Sequence, residues 1–341
     1  MKILVMTSIA RSISMIMRET FENAKKNDCS IIVIGDKKTG EILVPGGRFI
    51  STSEQEHLGL NLFTHLSWNS YSRKNLGYLE ALKLGPEWIL ETDDDNLLSD
   101  NFFCLVNSSE MQVRELKSDR WVNIYKYFGN DIVWPRGFPL NRILEQSRLD
   151  TKLRAISVDS IGIFQSIANN DPDVDAIFRL TRPLPQIFTH DYPLLLTGDA
   201  VCPFNSQATW WNSKYVSLMY FPCTVSWRAA DIWRSYIATR ILQANGVGIV
   251  FTGPLVAQER NEHDLLVDFK EEIDCYLDAE NIWIALGTIP QSLLTSSINE
   301  ALINAYECLI KAGYFSTKEL DLVKIWIQDI NQIKSNQGVI S

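Results

Sequence analysis

The sequence has no CxxC pair, and its six cysteines are scattered through the chain. Zinc sites and the disulfide frameworks of small domains need cysteines at close, regular spacings. The spacing therefore argues against both, and we expect reduced and mostly buried thiols. The cysteines are Cys29, Cys104, Cys202, Cys223, Cys275 and Cys308.

The sequence also lacks any apolar run near the roughly 18 residues that a membrane-spanning helix requires. Its first apolar stretch, residues 3–10, is short and is followed by no small-residue cleavage site. It therefore predicts a first buried strand rather than a signal peptide. We expect a soluble, cytoplasmic protein without a transmembrane segment.

Positive charge is in the minority, since 32 Lys and Arg residues stand against 41 Asp and Glu residues, a formal net charge of −9. This sign argues against non-specific binding of nucleic acids or anionic membranes. An anionic substrate would need a local basic patch, a metal ion, or both. With 341 residues, 46% hydrophobic and 21% charged, the chain is typical of one large globular domain with an appendage, or of two domains.

Strand and helix patterns alternate through the first hundred residues. Short apolar runs predict three strands at KILVMTSI, SIIVIGD and EWILETDDD, and amphipathic spacing predicts helices at SISMIMRETFENAKK and RKNLGYLEALKLG. This alternation predicts an α/β, Rossmann-like fold with a mainly parallel mixed sheet flanked by helices. Ligands of such sheets bind beyond the carboxyl ends of the strands, where Thr7, Ser8, Asp36 and residues 93–95 lie.

The later part of the chain shifts toward helices. RAADIWRSYIATRILQAN predicts a helix with an acidic entry at Asp231, and VGIVFTG predicts a strand. We expect a sheet-containing domain over residues 1–265 and a helical extension over residues 266–341. A capping box of Ser316 and Glu319 is expected to begin the last helix. The apolar stripe of LDLVKIWIQDI suits a cap on the sheet, a homo-oligomer interface or a binding surface, and the sequence does not choose among them.

The stretch WILETDDDNLL places three consecutive aspartates directly after a buried strand. Alternate side chains of a strand point to the same side, so Asp93 and Asp95 could approach one hard cation, with Asp94 turned elsewhere or acting through water. Mg²⁺ and Mn²⁺ take oxygen ligands and bridge protein carboxylates to phosphates. The alternative is a solvated acidic turn, but the preceding buried strand favours the metal site.

The order RKNLGYLEALKLG and then DDD resembles the GT-A glycosyltransferase pattern, in which a basic-Asn-Gly helix precedes a metal-binding DxD strand. More specifically, FGNDIVWPRGFPLNRI, CPFNSQATWW, TVSWRAADIWRSYIATRIL and IGDKKTG resemble segments of the STELLO family of glycosyltransferases. RGFPL, DDDN and DIW resemble, more distantly, the reversibly glycosylated polypeptides, which include UDP-arabinopyranose mutases. The matches run in order from about residue 30 to residue 268.

The resemblance implies roles for individual residues. Arg73, Lys74 and Asn75 would face the nucleotide or its diphosphate, although helix cations can also simply face solvent. His263 would supply a late metal ligand, although a lone histidine in a polar loop is usually solvated. The implied nucleotide-sugar ligands are Thr7, Ser8, Asp36, Arg73, Lys74, Asn75, Asp94, Arg136, Asn205 and Gln207.

Two further residues have competing interpretations. Arg136 matches the arginine that is glycosylated in the reversibly glycosylated polypeptides, so it could carry a sugar. It could instead clamp the diphosphate or only pack on Trp134. Asp231 could remove the proton of an acceptor hydroxyl, or it could lie at a helix start, where the helix dipole favours a carboxylate.

Tryptophans are concentrated in two clusters, Trp210–Trp211 and Trp227 with Trp233. Aromatic rings stack on the apolar faces of sugars, so either cluster could be a platform for an acceptor. Packing in the hydrophobic core explains the same clusters equally well.

The expected function is metal-dependent transfer of a sugar from a nucleoside-diphosphate sugar, in the first place a UDP-sugar, to a hydroxyl group of a glycan or another acceptor. The expected cofactor is Mn²⁺ or Mg²⁺. The alternatives are a nucleotide-sugar mutase or self-glycosylating protein, and a non-catalytic scaffold that binds nucleotide sugars. These residues do not distinguish inversion from retention at the anomeric carbon.

Overall fold

The amino-terminal strand lies in the middle of a parallel set. In a computed structural model, which describes residues 1–145, 149–259 and 264–338, strand β1 (Lys2–Ser8) pairs in parallel with β2 (Cys29–Gly35) and with β4 (Trp88–Thr92). The predicted first, second and third strands of the sequence are therefore confirmed. Their carboxyl ends meet at one edge of the sheet.

The side chains of β1 alternate between two hydrophobic cores. Ile3 and Val5 pack into one core, and Leu4 and Met6 pack into the other. A strand with both faces covered loses the polar alternation of a surface strand and becomes a continuous apolar run. The run of apolar residues at the start of the sequence follows from this double burial.

The remaining strands extend the sheet with mixed directions. They are β3 (Gly47–Ile50), β5 (Asn96–Leu98), β6 (Glu110–Ser118), β7 (Lys152–Ser157), β8 (Ile161–Asn169), β9 (Leu194–Gly198), β10 (Ala208–Asn212) and β11 (Gly248–Gln258). The order in the described chain is β3-β2-β1-β4-β10-β8-β11-β9-β6-β7, with β5 paired to β11. Strand β10 runs antiparallel to both of its neighbours, β4 and β8, whereas β8 and β11 are parallel.

Helices cover both faces of this sheet. They are α1 (Met15–Lys26), α2 (Thr52–Gln55), α3 (Lys74–Lys83), α4 (Ala176–Thr181), α5 (Trp227–Ala244), α6 (Leu265–Glu271), α7 (Ile273–Gly287), α8 (Gln291–Leu294), α9 (Ile298–Lys311) and α10 (Thr317–Asn336). Short 3-10 helices are Asn61–His65, Tyr71–Arg73, Asp100–Cys104, Ile124–Phe128, Leu140–Arg142, Val158–Ser160 and Ser213–Met219. Helix α1 packs on one face, and α3, α5, α7, α9 and α10 pack on the other.

Helix α3 lies very close to the sheet. A Cβ atom added to Gly77 would lie 2.5 Å from Cγ1 of Val5 in β1, a distance that a real side chain cannot adopt. The glycine of the predicted basic-Asn-Gly helix therefore serves close helix–strand packing. This contact fixes the start of α3, where Lys74 lies, next to the carboxyl end of β4.

The carboxyl-terminal helices share the core of the sheet. In α10, Asp329 accepts hydrogen bonds from the backbone N–H groups of Asn61 and Leu62, both at 2.9 Å, and the indole N–H of Trp326 donates to the Ser217 carbonyl at 3.0 Å. Residues of α7, α9 and α10 belong to the same buried cluster as those of α3 and α5. A domain boundary near residue 265 stays a prediction, and these contacts show that the helices beyond it cap the sheet.

Two details of the sequence prediction were wrong. The α5 helix begins at Trp227 with Ser226 as its N-cap, so Asp231 lies in the second turn rather than at the entry. The expected capping box of the last helix is absent, because Ser316 makes no side-chain cap bond and the Glu319 carboxylate instead accepts from Tyr220 and Thr224. A long-range set of donors outcompetes the local cap in that case.

The predicted fold class is confirmed: the chain is an α/β protein with a large mixed sheet, flanking helices and a helical carboxyl-terminal region. Across residues 1–145, 149–259 and 264–338, no helix combines the length and the apolar character that a bilayer crossing demands.

Candidate functional site

Two neighbouring clefts open at the carboxyl ends of β1, β2 and β4. The first, here called the amino-terminal cleft, has a volume of about 620 Å³ including its solvent-open mouth. The second, here called the acidic cleft, has a volume of about 690 Å³ counted in the same way and is bordered by α5. Tyr71, Asp93 and Asp94 line both clefts. A ligand that extends from one cleft into the other must therefore pass the aspartate turn.

The amino-terminal cleft is built by the ends of the first two strands. It is lined by Thr7, Ser8, Ile9, Ile34, Gly35, Asp36, Lys38, Asn69, Ser70, Tyr71, Arg73, Asp93 and Asp94. The side chain of Asp36 accepts a hydrogen bond from the backbone N–H of Lys37 at 2.6 Å. The structure thus brings together Thr7, Ser8, Asp36, Arg73 and Asp94, as the sequence predicted for one site.

The acidic cleft contains more carboxylates than cations. It is lined by Tyr71, Asp93, Asp94, Asp95, Arg136, Asp173, Asn205, Ser206, Gln207, Phe221, Trp227, Arg228, Asp231 and Gln258. Among the described residues of this lining, five aspartates therefore face two arginines. Asn205 and Gln207 lie here as expected for sugar ligands, and the side-chain amide N–H of Gln207 donates to the side-chain oxygen of Asn96 at 2.9 Å and to that of Gln258 at 2.6 Å.

The three aspartates of the turn make contact with three different partners. Asp93 accepts a hydrogen bond from the Lys74 ammonium group at 2.7 Å, and Asp94 accepts one from the Ser8 hydroxyl at 2.6 Å. Asp95 accepts one from the side-chain amide of Gln258 at 3.0 Å. Only Asp93 is paired with a cation among these contacts, so the turn keeps an excess of negative charge.

Burial and the crowding of carboxylates in the turn raise the pKa values of two of them, Asp95 and Asp93. Burial, together with the neighbouring charges of Asp93 and Asp94, raises the pKa of Asp95 to about 7, against the opposing Gln258 hydrogen bond. Burial also raises the pKa of Asp93, although Lys74 opposes the shift. A nearby cation would stabilise both ionised carboxylates.

The turn fits a hard divalent cation by its donor chemistry. Its carboxylate oxygens are the ligands that Mg²⁺ and Mn²⁺ prefer. Among residues 1–145, 149–259 and 264–338 there is no preformed group of three or more acidic, histidine or cysteine ligands. Mg²⁺ commonly binds through one or two carboxylates and completes its shell with water and substrate phosphate. The third predicted ligand, His263, lies outside the described residues.

Arg136 holds two carboxylates at the inner wall of the acidic cleft. Its guanidinium donates to Asp173 at 2.8 and 3.0 Å and to Asp231 with two bonds of 3.0 Å. A further bond reaches the backbone carbonyl of Arg228, so all five N–H donors are engaged. Gly137 lets this loop approach α5, since its φ is +81° and an added Cβ would lie 2.3 Å from Ile232.

This arrangement changes the interpretation of Arg136. A diphosphate clamp needs free N–H donors, and the folded chain leaves none on this guanidinium. A sugar carrier needs a nucleophilic, deprotonated nitrogen. Although burial lowers the pKa of Arg136, the charges of Asp173 and Asp231 raise it well above its ordinary value. Arg136 therefore suits neither the diphosphate clamp nor the sugar carrier. Its guanidinium instead holds Asp173 and Asp231 in position.

Asp173 is a site residue that the sequence analysis missed. Burial raises the pKa of Asp173, but the charge and hydrogen bonds of Arg136 more than offset this and lower it to about 2. Its carboxylate also accepts a bond from the Asn205 amide at 2.8 Å. The segment NNDPDVD contains three aspartates in five residues, but no periodicity in it shows which one meets Arg136.

The three consecutive residues Arg73, Lys74 and Asn75 point in different directions. Arg73 lines the amino-terminal cleft, with its guanidinium carbon 3.6 Å from the ring centroid of Trp68. Lys74 is buried against Asp93. Asn75 binds the backbone N–H and C=O of Phe221, at 2.7 and 2.9 Å. The expectation that all three face the nucleotide or its diphosphate is wrong for Asn75, because successive helical residues are rotated by about 100°. For Arg73, which lines the cleft, and Lys74, which lies at the aspartate turn, it stays a prediction.

The aromatic clusters are likewise divided. Trp210, Trp211 and Trp233 are buried in the hydrophobic cores, which confirms core packing for them. Trp227 instead lines the acidic cleft and stacks on Tyr71. Sequence reasoning missed Tyr71, and its place two residues before the basic Arg73–Lys74 pair gave no periodic signal for it.

Comparison with known proteins supports the family resemblance. A family model described as STELLO glycosyltransferases matches residues 228–339. The chain is 26% identical over 324 residues to probable glycosyltransferase STELLO1 of Arabidopsis thaliana, covering 88% of this chain and 41% of that protein. It is 26% identical over 331 residues to probable glycosyltransferase STELLO2 of the same plant, covering 90% of this chain and 42% of that protein.

The family model matches the part of the chain that begins at Arg228 in α5 and continues through the carboxyl-terminal helices. The pairwise similarities extend this over most of the chain, while the chain spans less than half the length of either plant protein. The aspartate turn, the WPRGFPL loop and α5 meet at one site, as the motif resemblance predicted. The chain is therefore STELLO-like.

Proposed function

We propose that the chain is a metal-dependent glycosyltransferase that binds a nucleoside-diphosphate sugar across the two clefts and transfers the sugar to an acceptor hydroxyl. The observation that carries the proposal is the sharing of Asp93 and Asp94 by both clefts. A nucleoside in one cleft and a sugar in the other would place the connecting diphosphate at the aspartate turn. The names of the two plant relatives, probable glycosyltransferases STELLO1 and STELLO2, point to the same reaction class.

The amino-terminal cleft suits the nucleoside part of the donor. It lies at the ends of parallel strands, where mononucleotides bind in open α/β sheets. Asp36 and Arg73 both line this cleft. Asp36 would accept hydrogen bonds from ribose hydroxyls, and Arg73 would supply a positive charge. Burial lowers the pKa of Arg73 to about 10, against the opposing charge of Asp36, so the side chain remains cationic at neutral pH. From the resemblance we propose UDP as the nucleotide.

The charge of the acidic cleft makes a cation necessary for this donor. A diphosphate beside five aspartates would be strongly repelled. Asp93 and Asp95 would hold a Mn²⁺ or Mg²⁺ ion with one or both carboxylates. When bound, the ion would neutralise the diphosphate and stabilise the charge of the leaving group. Lys74, paired with Asp93 at 2.7 Å, adds a fixed positive charge behind the turn.

Asp231 is the proposed acceptor-side carboxylate. Arg136 orients it with two hydrogen bonds, and the backbone N–H groups of Ser206 and Ile232 donate to it at 3.2 and 3.0 Å. A rigid carboxylate in a cleft can accept the proton of a hydroxyl group held next to it. The acceptor hydroxyl would have to take the place of one of these donors, and the longest bond, from Ser206, is the first candidate.

The test is calorimetric titration of the protein with a panel of UDP-sugars, with and without Mn²⁺. We expect binding that requires the metal and that is lost in Asp93→Asn and Asp95→Asn. Asp100→Asn is a matched control, because Asp100 is a partly exposed aspartate paired with Lys26 away from both clefts. Binding without a metal requirement, or unchanged binding in both turn variants, would favour the non-catalytic scaffold.

A further inference from the structure

An aromatic pair lies at the rim of the acidic cleft. Tyr71, from the short helix before α3, stacks on Trp227, the first residue of α5, with ring centroids 5.7 Å apart and planes 10° apart. Tyr71 is 39% exposed and Trp227 is 37% exposed. Large aromatic side chains are usually buried, so these two rings are unusual in leaving part of their apolar surface exposed at the cleft.

Hydrogen-bonding groups lie next to this apolar surface. Tyr71 and Trp227 share the cleft with Asp95 and Gln258. Their carboxylate and amide oxygens can accept hydrogen bonds from hydroxyl groups. Apolar ring surface beside several hydrogen-bond acceptors is complementary to a saccharide, whose C–H face is apolar and whose edge carries hydroxyls.

The excess of negative charge in the cleft favours neutral saccharides over anionic ones. Five aspartates line the cleft, whereas its two arginines are already paired: Arg136 with Asp173 and Asp231, and Arg228 with Glu272. Within the part of the cleft that the structure describes, a uronate or a phosphorylated sugar would meet this excess of negative charge without a free guanidinium to bind it. A neutral saccharide would not be repelled.

The aromatic pair is also held in place before any ligand arrives. The guanidinium carbon of Arg228 lies 5.2 Å from the ring centroid of Trp227, within the range of a cation–π contact. Side chains that are already ordered lose less conformational entropy on binding. The pair is therefore a rigid surface.

We propose that Tyr71 and Trp227 form a binding subsite for a neutral saccharide, which stacks on the aromatic pair and directs its hydroxyls into the acidic cleft. Its role as the acceptor subsite rests on the proposed transfer function. Saccharide binding at the pair does not require the donor, so the two claims can be tested separately.

The experiment is calorimetric titration of the donor-free protein with cellohexaose, maltohexaose and xylohexaose, and with hexagalacturonate as the anionic probe. We expect at least one neutral oligosaccharide to bind, and Tyr71→Ala and Trp227→Ala each to weaken it about tenfold. Trp227→Phe keeps an aromatic ring and should lose less. Tyr192→Ala, at a 49% exposed tyrosine that lines neither cleft, should bind like the wild type.

Circular dichroism melting of each variant checks that the fold is intact. The proposal is overturned if no neutral oligosaccharide binds, if both alanine variants bind like the wild type, or if hexagalacturonate binds more tightly than the neutral probes. Titration of the same proteins with UDP-sugars and Mn²⁺ keeps the two claims apart. If the wild type binds an oligosaccharide but no UDP-sugar, the proposed transfer reaction is rejected and the saccharide subsite stands. If the wild type binds a UDP-sugar but no neutral oligosaccharide, the subsite is rejected and the proposed transfer function stands.

Discussion

Arg136 and Asp231 are joined by two hydrogen bonds of 3.0 Å across 95 residues of sequence. The same guanidinium binds Asp173 with a second pair of bonds. One arginine therefore fixes the positions of two carboxylates at the inner wall of the cleft. The proposed chemistry depends on this fixed geometry more than on any residue in isolation.

Replacement of Asp231 tests its proposed part in transfer. Asp231→Asn keeps the shape of the side chain and removes its ability to take a proton, so we expect the transfer rate to fall by about 100-fold or more. Donor binding should stay within about twofold of the wild type. Initial rates of transfer and donor titrations measure the two quantities. A normal rate in Asp231→Asn would exclude it as the base.

Intact-mass spectrometry tests Arg136 as a sugar carrier. Because all five of its N–H donors are engaged, we expect no sugar adduct after incubation with UDP-sugars and Mn²⁺. Arg136→Lys cannot make the paired bonds to two carboxylates and should lose about 3 kcal/mol of unfolding free energy. An adduct in the wild type that disappears in Arg136→Lys would show that the protein glycosylates itself at Arg136 and would favour the mutase or self-glycosylating alternative.

Stability at acid pH should depend on Asp173. The pKa of Asp173 is about 2 in the fold, below the ordinary value of about 3.9. A depressed pKa contributes stability at higher pH, which is lost as pH falls through about 4 toward 2. Asp173→Asn should be less stable than the wild type at pH 7, and this difference should shrink by about 2 kcal/mol toward pH 2. Urea unfolding from pH 7 to pH 2 measures the difference in unfolding free energy between the two proteins. A difference that stays constant with pH would contradict the prediction.

Glu319 should connect the last helix to the wall of the acidic cleft. Its carboxylate accepts bonds from Tyr220 at 2.6 Å, from the Cys223 N–H at 2.9 Å and from the Thr224 N–H at 2.8 Å. Glu319→Gln should lower the unfolding free energy by about 1 to 3 kcal/mol, because an amide accepts fewer of these bonds. The exposed Glu307→Gln should change it by less than about 0.5 kcal/mol. If denaturant unfolding showed the same loss of unfolding free energy for Glu319→Gln and Glu307→Gln, the hydrogen bonds of Glu319 would not stabilise the contact between the last helix and the cleft wall.

Gly77→Ala should destabilise the protein although alanine favours helices. The new Cβ would lie 2.5 Å from Val5, and such overpacking costs about 1 to 3 kcal/mol. Gly287→Ala in α7 is the matched control, since its Cβ would lie 3.5 Å from Arg240, an ordinary contact. Thermal unfolding should show a lower midpoint for Gly77→Ala and an unchanged or higher one for Gly287→Ala. The opposite order would show that α3 can move away from the sheet.

Local patterns were enough to locate the edge of the sheet where the site lies. The apolar runs before Ser8, Asp36 and Asp93 predict parallel strands that end at the same edge, and the structure places all three residues there. Asn75 was assigned wrongly because sequence adjacency on a helix does not mean a shared direction. Asp173 was missed because its importance comes from Arg136, which is 37 residues away.

The sequence by itself determined the α/β class, the strand ends and the acidic turn, since each depends on the period of apolar residues or on neighbours in the chain. The tertiary structure alone decided which carboxylates Arg136 holds, that Glu319 binds the segment around Tyr220 instead of capping its own helix, and that Trp227 reaches the cleft. These outcomes depend on competition among donors and acceptors brought together from distant segments. No local pattern records that competition, because the partners available to a buried polar group come from the whole fold and not from its neighbours in the chain.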